Sequence, residues 1–449
     1  GLAHLLAISG LHIGLMSGIL FVGLRGLLAL VPPLALHYPI KKWAACFAIL
    51  GAFAYALIAG ATVPTQRAFL MIGLFLVAVL VDRRGLSIRL VAWAALIILV
   101  LQPESLLGAS FQMSFAAVTA LIAAYETISE KRRFHDYEAG PWPPWVRRMG
   151  VYLAGVALTT LIASAATTPF AIYHFNRFAD YGLAANMIAV PVTALWVMPW
   201  AVAAFLLMPL GLETLALAPM GWGIEVVISA AETVASWPGA VTLVPAMPTA
   251  ALAAIALGGL WLCLWRRRWR YLGLAGIVAG MASPMLVQPP DLLIDGKGRL
   301  LAVRTETGSV AVSNLRRARF DRETWLRRMG QDQARAKWPA RGTSADNRLS
   351  CDLEGCLYRV GNRTVALSFG EGALSEDCWA ADVVVSIVPV RRACPAQAVI
   401  DRFDLWRQGG HAFWFEETGV RIETVNGSRG NRPWVLKPTR KPKRTPDKT

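Results

Sequence analysis

Charge is what this chain has least of. Only 16% of its 449 residues are Asp, Glu, Lys or Arg, against 55% hydrophobic, where an ordinary soluble domain carries about 25% charged residues. That excludes a water-soluble globular protein for most of the length. Histidine is scarce too: there are six, and only His411 follows residue 287. A two-metal hydrolase needs a histidine-rich ligand cluster to generate hydroxide, and that region has none. No G-x-x-x-x-G-K-S/T loop occurs, so ATP-driven work falls to a separate partner. No convincing internal repeat of the kind common in transporters is visible. An initiator Met and a signal peptide are also missing; the chain opens on Gly1, already inside a motif, and reads as a fragment or processed product.

The charge that is present is unevenly placed. Residues 1–287 hold 17 Lys/Arg and 10 Asp/Glu, while 288–449 hold 28 and 19. The shift separates a membrane region, 1–287, from a soluble domain, 288–436, and a short tail, 437–449. Both main parts are net basic, which favours lipid headgroups, nucleic acid or another polyanion as partner. Apolar runs lie at roughly 3–31, 43–60, 66–81, 88–101, 111–126, 151–173, 183–208, 213–236, 247–265 and 271–287, and a straight span needs about 20 apolar residues. The expectation is a polytopic α-helical membrane protein of about ten transmembrane helices. The run 213–236 contains Glu213, Glu225 and Glu232; it either spans or lies at the surface. If it spans, Lys41, Lys42, Arg83, Arg84, Arg89, Lys131, Arg132, Arg133, Arg147, Arg148, Arg266, Arg267, Arg268 and Arg270 share one side. Arg67 and Arg177 lie on the other. Positive residues stay cytoplasmic, so the division favours ten crossings, a first helix running inward and a C-terminal domain outside. Trp196, Trp200, Trp237, Trp261, Trp265 and Trp269, near predicted helix ends, read as interfacial anchors.

Cys46 and Cys263 stand alone in apolar runs and read as small core residues. Cys351, Cys356, Cys378 and Cys394 all fall in the soluble domain. In an oxidising compartment an even set implies two disulfides, in one of three pairings. Zinc is the rival occupant, but C-x4-C…C…C fits no usual zinc spacing, and no metal or other cofactor is expected.

The stretch "HLLAISGLHIGLMSGIL", His4 to Leu20, is apolar enough for a bilayer yet carries two histidines, two serines and glycines four apart. On a helical wheel Gly10, Gly14 and Gly18 fall within about 80° of one another, a ridge of the kind that lets helix backbones approach closely in lipid. His4, Ser9 and His12 occupy a different arc. Intramembrane polar residues face a protein interior or a wet cavity, so either histidine reads as a structural hydrogen-bonder or as part of a pore or gate. Polar residues recur in "TVPTQRAFLM", with Gln66 and Arg67 at a helix start, and in "PESLLGASFQMSFAAV", with Gln112 and Ser114. They recur again in "ATTPFAIYHFNRFADYGLAANMIAVPVTAL", with Thr167, Thr168, His174, Asn176, Arg177, Asp180 and Asn186. Pro169 and Pro191 are expected to break the flanking helices, and interrupted helices line cavities. Together these stretches imply a polar path completed by Gln112, Asn176 and Asn186.

The same stretches resemble, in order, the motifs of the ComEC family, the inner-membrane channel of bacterial natural transformation. "HLLAISGLHIGL", "QRAFLM", "PESLLGASFQMSFAAV" and "FNRFADYGLAANMIAVPV" carry the resemblance, over about residues 1–287. It implies a multi-pass bacterial inner-membrane protein that passes single-stranded DNA into the cytoplasm, with its C-terminal domain periplasmic. Implied partners are membrane lipid, a periplasmic DNA receptor and a cytoplasmic helicase-type motor. His4, Ser9, Gly10, His12 and Gly14 match the first motif, Arg67 the second, Gln112 and Ser114 the third, and Asn176, Gly182, Asn186 and Pro191 the fourth. The polar members among these are the channel-lining or gating candidates. Full-length family members also carry an N-terminal soluble domain of oligonucleotide-binding type that this sequence lacks.

After residue 288, β-rich runs at 299–304, 309–314, 357–369, 382–389 and 411–425 alternate with Gly-, Asp- and Arg-rich turns, the pattern of a mixed α/β domain. In many ComEC relatives this position holds a metallo-β-lactamase-like domain, and "LLIDGKGRLLAVRTETGSVAVSN" resembles its opening strands. The H-x-H-x-D-H cluster is absent and no nucleophile triad is recognisable. The expectation is therefore a degenerate, non-enzymatic relative whose arginines still suit phosphates. The tail "KPTRKPKRTPDKT" is basic, Pro-rich and expected to be disordered. Two other function classes compete: a transporter of a small anionic solute unrelated to competence, and an exported hydrolase on a membrane anchor.

Overall fold

A computed structural model of the chain describes residues 10–83, 87–132, 143–334 and 336–435. His4 and Ser9 lie outside the described residues, as does the tail from 436. The chain divides into a helical unit and a sheet unit at Met285/Leu286, with the segment Leu243–Ala246 grouped with the sheet unit. That grouping is visible in the Ala246 N–H, which donates to the Arg328 carbonyl at 2.8 Å.

The helical unit comprises α1 (Gly10–Ala29), the short α2 (Pro32–His37), α3 (Ile40–Ile58), α4 (Val63–Leu80), α5 (Ile88–Leu101) and α6 (Ala109–Arg132). It continues with α7 (Pro144–Phe175), α8 (Gly182–Val192), α9 (Met198–Leu207), α10 (Thr214–Ala235), α11 (Thr249–Leu264) and α12 (Leu272–Ala282). A small ribbon pairs β1 (Arg177–Ala179) with β2 (Val241–Leu243). Among the described residues six helical segments are long and apolar enough to cross a membrane: Gly10–Ala29, Ile40–Ile58, Ala109–Ser129, Pro144–Phe175, Gly182–Leu210 and Thr214–Ala235. Pro64–Leu80, Ile88–Leu101 and Thr249–Leu264 are shorter apolar helices. Large apolar side chains such as Val22, Phe47, Trp93, Leu161, Leu206 and Leu257 point outward, the pattern of helices whose solvent is lipid.

Small residues decide which helices meet, though not the ones expected. A Cβ at Gly10 or Gly14 would sit at ordinary contact distance, 3.6 Å from Ala68 and 3.7 Å from Ile72, and one at Gly18 would meet nothing within 4 Å among the described residues. The ridge on α1 is therefore no tight seam. The small stripe of this region is on α3, where Ala44, Ala48, Ala52 and Ala56 are all buried at four-residue spacing, against Ile13 and Ala68 at one level and Leu76 and Val79 at another. Backbone contact is reserved for α11 and α12. A Cβ on Gly258 would lie 2.5 Å from the Gly273 carbonyl oxygen, and one on Gly273 would lie 2.3 Å from that of Gly258. With hydrocarbon on both sides, close packing replaces the hydrophobic effect as the force that joins helices.

The prolines do not end their helices. Pro169 lies inside the 32-residue α7, and Pro191 lies inside α8, which runs on into a π-helical turn, Thr193–Val197, and then α9. A proline lacks one N–H, and a widened turn absorbs the mismatch without breaking the rod. One further expectation needs correction: Cys46 is exposed on α3 and is no core residue. The half-exposed Trp196 also joins two helices, its indole N–H donating to the Pro219 carbonyl of α10 at 2.7 Å.

The sheet unit contains two sheets. One is antiparallel, with strand order β13-β12-β3-β4-β5: Gly419–Thr424, His411–Glu416, Leu292–Ile294, Leu301–Arg304 and Val310–Val312. The other is mixed, with order β11-β10-β9-β8-β7-β6: Ala398–Ile400, Val383–Ser386, Arg363–Ser368, Gly355–Val360, Leu349–Cys351 and Gly342–Thr343. Leu301 and Val303 join Val365, Leu367, Val383 and Val385 in a core between the sheets. The alternate residues face outward under helices. Leu300 and Ala302 pack with Leu326 of α13 (Arg319–Arg328), and Ala366 and Val384 pack with Cys378 of α14 (Leu374–Ala380). The layers thus run helix, sheet, sheet, helix, and the central positions of strands covered on both faces are apolar, as at 301–303, 365–367 and 383–385. Two sulfur–sulfur bonds are present, Cys351–Cys356 across neighbouring strands and Cys378–Cys394 from α14 to the loop before β11.

The close α11–α12 seam makes Gly273→Ala costly. The added methyl has no room, and overpacking of this kind costs about 1–3 kcal/mol. Gly18→Ala, into open space, should be neutral or slightly stabilising because alanine is the better helix former. Thermal unfolding of the purified protein in detergent separates the two; equal midpoints would contradict the seam.

Candidate functional site

At one end of the helical unit the apolar helices are tied together by polar side chains. The first turn of α4 comes from "TVPTQRA", whose Thr62 and Thr65 hydroxyls share a hydrogen bond of 2.7 Å. Gln66 Nε2 donates back to the Ala61 carbonyl at 2.8 Å, anchoring the turn. Arg67 follows. It is only 5% exposed, and its guanidinium donates to the Ser110 hydroxyl on α6. Its Nε is buried without a hydrogen-bond partner.

Two residues beyond Ser110, Gln112 joins α6 to α7. Its amide nitrogen donates to the Leu106 carbonyl at 2.9 Å, which orients the amide oxygen toward His174 Nε2, 2.8 Å away. Since that oxygen only accepts, His174 carries its proton on Nε2 and donates it. Tyr173 shares a hydrogen bond of 3.0 Å with Thr249 at the start of α11. Two residues past His174, Asn176 closes α7 in the left-handed conformation, φ 55°, and is buried. Asparagine suits that position because its short side chain tolerates positive φ. Asp180 then ties the next turn, its N–H donating to the Ala240 carbonyl and its carboxylate accepting from Thr242.

These contacts gather the chain turns near residues 62–67, 106–112, 173–182 and 238–249 at one end of the unit. The opposite end is held by ion pairs, Lys42 with Asp82 at 2.7 Å and Arg266 with Glu126 at 2.5 Å. α4, α6 and α11 therefore run one way and α7 the other.

Of the residues singled out in the sequence, Gln66, Arg67, Gln112, His174, Asn176 and Asp180 belong to this band. Ser114 is half-buried one turn beyond Ser110 and takes no part in its hydrogen bonds. Asn186 lies apart on α8, 8% exposed, its amide oxygen buried without a partner, beside the small residues Ala185 and Ala189 that meet Val227 of α10. His12 is half-buried on α1. Ser110 and Thr249, both essential to the band, were not singled out. Ser110 sits inside "GASFQ", two residues before Gln112, and a helix-start serine looks like any other.

In the sheet unit, His411 is buried on β12, and its Nδ1–H donates to the Gly409 carbonyl at 2.8 Å. Burial pushes its imidazole below the ordinary value. Asp291, equally buried, accepts from the Arg304 guanidinium and from the Phe415 N–H, which satisfies it as a structural ion. Among the described residues no three His, Cys, Asp or Glu side chains are grouped to hold a metal ion.

Comparison with known proteins fits this geometry. Residues 1–269 match the family model described as Competence protein. The chain belongs to that family. Similar curated proteins include ComE operon protein 3 of Bacillus subtilis (strain 168), 28% identical over 211 residues, 47% of this chain and 24% of that protein. Competence protein ComA of Neisseria gonorrhoeae is 34% identical over 179 residues, 38% and 25% of the two chains. Recombination protein 2 of Haemophilus influenzae is 30% identical over 200 residues, 44% and 24%. The chain spans about a quarter of the length of these curated relatives. No solved structure matches it. The competence match covers every residue of the polar band and none of residues 286–435.

Gln112 and His174 act as a pair. Replacing each by alanine, alone and together, should give a coupling of about 0.5–1.5 kcal/mol, the range for hydrogen bonds between membrane helices. A double-mutant cycle on unfolding in detergent measures it, and additive losses would mean that the two side chains do not meet.

Proposed function

We propose that this chain is the membrane conduit through which single-stranded DNA enters the cytoplasm during natural transformation. The observation that carries this reading is the polar band itself, with Arg67, Ser110, Gln112, His174 and Thr249 on four helices at one end of an otherwise apolar bundle. A strand of phosphates and bases needs weak, exchangeable polar contacts along its route. Membership of the competence family and the names of the relatives support the same reading.

The topology that goes with it has ten crossings, with the first helix running inward, the basic loops cytoplasmic and the polar band at the outer end. The six long and three shorter apolar helices among the described residues are compatible with that count, with the 11-residue α12 taken as the tenth. The ion pairs Lys42–Asp82 and Arg266–Glu126 support it, because they bring loops assigned to the cytoplasm together. The sheet unit then lies in the periplasm of a bacterial inner-membrane protein. Its helix, sheet, sheet, helix layering supports a metallo-β-lactamase-like origin. It acts without cutting DNA, since its one histidine is spent on a backbone carbonyl. A cytoplasmic helicase-type motor supplies the energy, and a periplasmic receptor delivers the DNA.

Gln112→Ala and His174→Ala should each reduce transformation by purified DNA at least about tenfold, the effect expected when a step loses about 1.4 kcal/mol, while membrane abundance stays unchanged. Alkaline phosphatase fused after Pro290 should be active. Normal transformation by both variants would sink the conduit reading, and a silent fusion with an active cytoplasmic reporter would sink the topology.

The purified protein, given manganese or zinc, should leave single- and double-stranded DNA intact. Metal-dependent cleavage that survives repurification, yet is lost on changing one candidate ligand, would make the sheet unit an enzyme.

A further inference from the structure

Arg67 is chemically incomplete. A guanidinium offers five N–H donors and a charge that cannot be given up. Here it is nine-tenths buried, its only hydrogen-bond acceptor among the described residues is the neutral Ser110 hydroxyl, and its Nε is buried without a partner. No carboxylate of the described residues forms an ion pair with it: Asp82 and Glu126 pair with Lys42 and Arg266 at the opposite end, Asp180 accepts from Thr242, and Glu104, on the turn before α6, is exposed. A buried charge without a counter-charge costs several kcal/mol, and proteins retain one where an anion completes it.

We propose that Arg67 is a binding site for a single phosphodiester group, that of a DNA strand passing between α4 and α6. The proposal rests on the conduit reading and adds to it the group bound and its number. A phosphate takes two of the donors side by side, including the Nε that the resting protein leaves empty, and it displaces only one neutral serine. Among the described residues no second cation is buried in the band: Gln112, His174, Tyr173 and Thr249 bond to one another or to backbone carbonyls, and Arg177, at the same end, lies exposed on β1. One phosphate is therefore held at a time, and the strand can move on. A lipid headgroup, which also carries a phosphodiester, is disfavoured because Arg67 points into the helical unit and not out to its apolar rim.

The test is salt-dependent binding of a short single-stranded oligonucleotide to the full chain in nanodiscs. Each phosphate contact to a single strand contributes about 0.7 to the slope of log affinity against log salt. Arg67→Gln should lower affinity about tenfold or more at low salt, as loss of a charged hydrogen bond does, and should reduce the slope by about 0.7. Arg67→Lys should keep the slope and lose affinity several-fold with the paired grip. A wild-type slope in Arg67→Gln overturns the site while leaving the conduit standing. If Arg67→Gln does not fold, unchanged affinity in Arg67→Lys overturns it as well. A phospholipid that co-purifies with the wild type and is lost from Arg67→Gln would assign the site to lipid and overturn the proposal. Failure of the wild type to bind the oligonucleotide above an uncharged methylphosphonate analogue would remove the conduit reading, and the phosphate site with it.

Discussion

Inside hydrocarbon a polar group finds no water, so it must be satisfied by the protein. Everything distinctive in the helical unit follows from that constraint. The helices themselves satisfy their backbones, which leaves polar side chains to choose between pairing and absence. Along most of α1 and α3 they are few. Where they persist they pair at once: hydroxyls such as Ser17, Thr127, Thr159 and Thr167 donate to the carbonyl one turn back on their own helix. Others reach between helices: Tyr125 meets Thr159 between α6 and α7, and a larger group gathers at one end. An arginine held by a serine is the extreme case, because there the constraint is met least.

The sequence displayed the first layer of this logic and hid the second. Polar residues in apolar runs stand out by contrast, so Arg67, Gln112 and Asn176 were visible without coordinates. Which of them meet was not visible. Contact between α6 and α7 depends on where each helix starts, and the start of α6 follows a 3-10 turn, Pro103–Leu107, that re-aims Gln112. The glycines of α1 showed a small face, of which Gly10 and Gly14 lie against Ala68 and Ile72 of α4, but not how closely the helices approach. A four-residue spacing gives a helix a small face, but the neighbour decides whether that face is used. Here the buried alanines of α3 take the role, and the tight glycine contact falls at Gly258 and Gly273, whose sequences look no more regular. Proline was over-read as a helix breaker, because in lipid a helix has no better alternative than to continue.

The sheet unit was more legible, since both its faces are covered and its strands are short apolar runs. All five predicted β-rich runs contain strands, and two of them, 357–369 and 411–425, fold back as hairpins through Gly361 and the turn before Gly419. The strands Gly342–Thr343, Leu349–Cys351 and Ala398–Ile400 were too short to register. Helix α15 (Arg402–Gln408) was marked only by "DRFD", where Asp401 and Asp404 form a reciprocal capping box. The pairing of the four cysteines needed the strand register, which sets Cys351 directly opposite Cys356.

The widened turn after Pro191 has a consequence for everything that follows it. A π-helical turn takes up one residue more than an α-helical turn, and each residue advances a helix by about 100°. The turn at Thr193–Val197 therefore sets the angular phase of α9 relative to α8. In the phase that it sets, Met198 and Val202 face Met16 of α1, while Leu195 and Leu206 face outward. With that turn wound as an ordinary helix, the same side chains would swing by more than a quarter of a circle, and α1 would lose its sulfur-lined neighbour. One surplus residue thus works as a phase key, fixing which side of the rod faces the protein and which faces the lipid.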